Sequence, residues 1–218
     1  VLLSVAWFGW TLYEADLGGA APDARHLAAG LRYLEDERYE DALGAFSEVL
    51  AIDSENLGAL RGKAQSLMQL GARRWYEADR LAREGQTTAA QRSAAAAQQD
   101  YGAALDAYDE AIAREQARGL SEQNRRILGV AYANRGILKD RMADYSGALS
   151  DYRAAMQLEP EVQEGPGLVT RFLRNQAQKP PTVADRARYL ERQLAKPESE
   201  RVLQQPPADS MQRPYRLD

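Results

Sequence analysis

One histidine, His26, and no cysteine occur among the 218 residues, and these two counts narrow the available chemistry at once. A structural or catalytic metal needs three or four converging side-chain ligands, and His26 has no partner histidine. A nucleophile with a base and an orienting acid would also have to borrow His26. No glycine-rich phosphate loop follows a strand-like run. Packing is therefore the reading taken for His26. The sequence predicts a chain without catalysis, metal or cofactor.

Charge narrows the partners. The net charge of −4 conceals an asymmetry: residues 1–56 carry 3 basic and 11 acidic side chains, residues 57–159 carry 15 and 13, and residues 160–218 carry 10 and 8. Nucleic acid needs a basic stripe that exchanges with phosphate counterions, and none is present. The acidic first part is either a solvated helix surface or a face that steers a basic partner.

The elements that position these side chains announce themselves by spacing. An aromatic, then alanine three residues on, a second aromatic four beyond and a small or apolar residue three further occurs three times: Tyr39, Ala42, Phe46, Val49; Tyr101, Ala104, Tyr108, Ala111; Tyr145, Ala148, Tyr152, Ala155. Small residues that match a preceding helix are Gly30, Ala64 and Gly136, the first two 34 residues apart. The pattern resembles the tetratricopeptide repeat family over roughly residues 23 to 162. The third unit carries it most fully, at Tyr132, Asn134, Gly136, Asp144, Tyr145, Ala148, Tyr152, Ala155 and Pro160; the first two lack the closing proline, having Ser54 and Gln116 there. The resemblance implies an all-α fold, a solenoid of three helical hairpins that closes its core by stacking. It also implies a protein-binding groove lined by the first helices, with Leu27, Leu31, Arg61, Gln65, Met68, Asn134, Ile137 and Arg141 on its surface. Asn134 matches an asparagine that many members use to hold a peptide backbone. The basic clamp by which some members grip a carboxylate terminus is missing, since Leu27, Leu31 and Gly62 take three of its places.

The second-helix signatures lie 62 and 44 residues apart, so the second unit contains about 28 residues more than a 34-residue repeat. Leu60, Ala64, Leu67, Gly71, Trp75, Ala78 and Leu81 continue one helical stripe, and Ala90, Ala94, Ala97, Tyr101, Ala104, Tyr108 and Ala111 form a heptad seam. Gly85 to Thr88 is the sole turn signal between them. The spacing therefore predicts an elongated antiparallel hairpin, with helices near 57 to 84 and 88 to 118 and a projecting part at 72–99. At 1.5 Å per residue the projection is about 20 Å. Its seam is expected to pair Trp75, Ala78 and Leu81 with Ala90, Ala94 and Ala97. Arg73, Arg74, Trp75, Tyr76, Arg80 and Arg83 are its candidate recognition residues.

At the start, Val1 to Tyr13 is almost wholly apolar. It is shorter than the roughly 20 residues a bilayer core requires, so the expectation is the end of a span that begins before Val1, with Trp7, Phe8, Trp10 and Tyr13 in the interfacial belt. Glu14 and Asp16 follow, with no Lys or Arg before Arg25, which places the repeats on the exported side by the positive-inside tendency. A cleavable signal ending near Gly18, Gly19 and Ala20, and a helix packed on the first repeat, are alternatives. The resulting division is 1–20 anchor or packed helix, 21–162 repeat array, 163–204 capping helices and 205–218 extended tail. Thr182 with Asp185 reads as a capping-box start for one capping helix, whose apolar face is Val183, Ala187, Leu190 and Leu194. The function expected is a membrane-tethered, extracytoplasmic, non-catalytic scaffold holding one or more proteins, as a homo-oligomer or as a subunit of a larger complex. A soluble cytoplasmic adaptor or co-chaperone and an accessory subunit of a membrane enzyme are the alternatives.

Overall fold

The computed structural model describes residues 22–163, 181–204, 212, 214 and 215. Among these the chain is all-helical, with α1 (Pro22–Glu35), α2 (Tyr39–Ile52), α3 (Leu57–Arg83), α4 (Thr87–Ala117), α5 (Glu122–Arg141), α6 (Tyr145–Leu158) and α7 (Val183–Leu194). Short 3-10 turns occupy Pro160–Gln163 and Glu198–Glu200. The apolar start with Trp7, Phe8, Trp10 and Tyr13, residues 164–180 of the expected capping region, and most of the tail lie outside the described residues. No helix among the described residues is long and apolar enough to cross a membrane.

Local chemistry fixes where the helices begin and end. The side chains of Asn56, Ser121 and Asp144 each accept from a backbone N–H in the first turn of α3, α5 and α6, satisfying donors that the helix itself leaves open. Thr182 and Asp185 close a reciprocal capping box on α7. Gly85, at φ +77°, turns the chain between α3 and α4, a conformation that costs glycine little. The turns α1–α2 and α5–α6 instead use Glu37 and Ala143 at φ +58° and +63°, where an L side chain is strained.

Each odd-numbered helix up to α5 packs on the next even one, each even helix packs on the next odd one, and α1, α3 and α5 touch in succession along one face. Glycines set the approach. A methyl group on Gly30 would sit 2.7 Å from the ring of Phe46, and one on Gly136 would sit 2.7 Å from Tyr152. Phe46 also meets Gly62 of the following pair, so one ring closes both its own hairpin and the joint to the next. Phe46, Tyr108 and Tyr152 are fully buried, each burial worth about 1.5–3 kcal/mol. One apolar core joins α3 to α7 and a second joins α1, α2 and α3, bridged by the half-buried Leu43 and Leu50.

The long pair α3–α4 spans Leu57–Arg83 and Thr87–Ala117, against the 57 to 84 and 88 to 118 read from the sequence. In its outer part Ala78, Leu81, Ala90 and Ala97 are buried and Ala94 half-buried. Trp75 is half exposed and lies beside Ala78, Ala90 and Ala94. The Ser93 hydroxyl donates to the Arg74 carbonyl at 2.8 Å, a bond between the two long helices.

Candidate functional site

On the face shared by α1, α3 and α5 lies a stretch of chain from far down the sequence. The Asn134 side chain donates from Nδ2 to the Tyr215 carbonyl at 3.0 Å and accepts the Tyr215 backbone N–H at Oδ1, 2.7 Å. This two-point pairing satisfies the peptide unit as a neighbouring strand would and reads no side chain. The Tyr215 phenol donates to the Val162 carbonyl at 2.9 Å and accepts from the Val183 backbone N–H at 3.2 Å. Three residues earlier, Gln212 donates to the Tyr152 hydroxyl at 3.2 Å, and its carbonyl accepts from Arg141 at 3.4 Å.

A buried polar network supports this seat. Arg186 of α7 donates to both carboxylate oxygens of Asp140 on α5, at 2.6 and 2.8 Å, and to the Leu203 carbonyl at 2.8 Å. The Tyr152 hydroxyl donates to Asp140 as well, at 3.1 Å. Burial, with Asp140 close by, pushes the Tyr152 phenol well above its ordinary range. The network ties α5, α6, α7 and Gln212 into one polar core.

The groove residues expected from the sequence divide into three groups. Leu27, Leu31, Arg61, Gln65 and Asn134 line one cavity of about 360 Å³, together with Leu34, Tyr108, Val130 and Tyr215. Arg141 lies on a second cleft of about 220 Å³ that also meets Trp75, Tyr76, Tyr145 and Gln212. Met68 and Ile137 are corrections: both are 0% exposed, enclosed in the core that Tyr215 packs against. Arg61 is anchored to the buried Glu115 at 3.2 Å. The Tyr108 hydroxyl is buried and forms no well-directed hydrogen bond. Burial raises that phenol above its ordinary range, and the positive charge of Arg141 and the Asn134 amide only partly offset the rise.

The four candidate arginines of the prong each pair with a nearby carboxylate. Arg80 pairs with Glu77 and Glu84, Arg83 with Asp79, Arg73 with Glu40 of α2, and Arg74 with the buried Asp100. Trp75 and Tyr76 are the large exposed side chains of that region. Sequence reasoning missed Tyr215, Gln212 and the Asp140–Arg186 pair as site residues, and read Tyr108 only as a packing aromatic of the spaced signature. Of the missed residues only Tyr215 left a signal, as an aromatic in an otherwise proline- and charge-rich tail.

His26 is half-buried on α1. Among the described residues no group of three or more histidine, cysteine, aspartate or glutamate side chains is placed to hold a metal ion. Compared with family models, with curated proteins and with solved structures, the chain finds no match.

Proposed function

We propose that this chain is a non-catalytic protein-interaction scaffold of the tetratricopeptide type. In this reading the pairs α1–α2, α3–α4 and α5–α6 are three stacked repeats, the second drawn out into a prong, with α7 as the cap. The observation that carries it is the paired hydrogen bonding of Asn134 to the backbone of Tyr215. A groove that holds extended chain by its peptide groups is built for protein ligands, and the cavity beside it has the size of an ordinary ligand site. The exposed Trp75 and Tyr76 give the base of the prong a second surface of the kind that anchors interfaces.

We further propose that the apolar start tethers the scaffold to a membrane, with the repeats on the extracytoplasmic side. Purification from native membranes tests both parts. The full chain should require detergent for release and should elute with a protein partner in fixed stoichiometry, and Trp75→Ala with Tyr76→Ala or Asn134→Ala should reduce that partner. Elution as a lone monomer under mild conditions would sink the scaffold reading. Release by a salt wash without detergent would sink the tether.

A further inference from the structure

The seat of Tyr215 is more selective than a backbone clamp requires. Asn134 alone would hold any extended residue. The phenol adds a test of identity, because it satisfies two groups at once: the Val162 carbonyl and the N–H of Val183. Val183 is the first residue of α7, so its N–H has no acceptor within the helix. A phenylalanine in the same place would fill the space and leave a donor and an acceptor without partners, the condition under which a site built around a hydroxyl rejects its deoxy analogue. Gln212 adds a second contact three residues upstream, at the Tyr152 hydroxyl.

The seat is also open on one side. The cavity that Tyr215 borders is also lined by Tyr108 and by the apolar side chains of Leu27, Leu31 and Val130. A segment that lays its tyrosine in the seat and an apolar side chain against those walls gains burial beyond what the tyrosine itself provides.

Resting on the scaffold reading, we propose that the groove is a tyrosine-reading site for an extended protein segment, and that Tyr215 of this chain, with Gln212, is its resident occupant. An outside segment reaches the site by displacing the resident one. Because the resident segment is tethered, it competes at an effective concentration on the order of millimolar. The site is therefore closed to weak ligands and open to those that also use the cavity.

The test uses the full chain and a fluorescent synthetic peptide of sequence SMQRPYRLD, followed by polarisation. The Tyr215→Ala chain should bind the peptide at least about tenfold more tightly than the unaltered chain does. A peptide with phenylalanine for its tyrosine should bind the Tyr215→Ala chain about tenfold more weakly. Adding Asn134→Ala to that chain should abolish binding. Should Tyr215→Ala melt below the assay temperature, Tyr215→Phe, which keeps the ring and loses two hydrogen bonds, serves in its place. No binding to a folded Tyr215 variant, equal binding by the unaltered chain, or equal binding of the phenylalanine peptide would overturn the proposal. Each of those results leaves a partner held at Trp75 and Tyr76 untouched, whereas a lone monomer from native membranes removes the scaffold reading itself.

Discussion

At Gly136 the packing leaves no room for a side chain. An added methyl would lie 2.7 Å from the Tyr152 ring and 3.3 Å from the Ala148 carbonyl, and Tyr152 is fixed by Asp140 and Gln212 on its hydroxyl. Gly136→Ala should therefore destabilise by about 1–3 kcal/mol, read as a lower midpoint in urea with an unchanged slope. A larger effect is expected where charge is buried. Asp140→Ala removes the carboxylate that takes two hydrogen bonds from Arg186 and should cost about 3–5 kcal/mol. Combining it with Arg186→Met should recover most of the loss, because two apolar groups replace two charges; no recovery in the double variant would show that Arg186 acts independently of Asp140. The sequence disclosed these residues unevenly. Gly136 and Tyr152 belong to a spaced pattern, so their contact was readable. Asn134 was readable by resemblance, but its partner Tyr215 was not, since 81 residues separate them and an extended tail has no periodicity to tie it to a helix face. Met68 and Ile137 were given to the surface because a spacing pattern fixes a helix face only to within part of a turn, and part of a turn separates groove from core.

The helices themselves were written plainly, by apolar stripes and a few turn residues. The long pair was readable because both stripes run without a break to one glycine turn. The half exposure of Trp75 was not readable, because its position on the stripe does not say how much of a large ring the facing alanines cover. Turns carry a further prediction. Ala143 holds φ +63°, and replacing it with glycine relieves a left-handed strain of about 1–2 kcal/mol against a smaller loss through the more flexible unfolded chain. Ala143→Gly should raise the thermal midpoint; a fall would mean that the methyl contributes packing. At the start of α7, burial favours the protonated form of Asp185, but bonds from the Thr182 N–H and hydroxyl and from Arg188 outweigh it and hold the carboxyl below its usual range. The folded pKa is thus below the unfolded one, so the contribution is present above about pH 4 and is lost as pH falls through the folded value. The stability gap between the unaltered chain and Asp185→Asn, measured by urea melts, should be widest near neutrality and narrow below about pH 4.

For the whole molecule, the apolar cores of the stack include no residue of the prong. Gly71 meets Tyr101 at the base, and the cores that join the hairpins lie on the stack side of that contact. Replacing residues 72–99 with a short turn should leave a cooperative melt by circular dichroism, while a loss of cooperativity would mean that the prong is part of the stack's foundation. The seat of Tyr215 has another consequence, a mechanical one. A pull on the chain beyond Tyr215 would load the two bonds at Asn134 and the two at the phenol first. Those few bonds lie in one short stretch, whereas the helices behind them share their load across interlocked aromatic rings. Under tension the molecule should yield first at the groove and keep its helices, so that strain on this segment would expose a surface that is covered at rest.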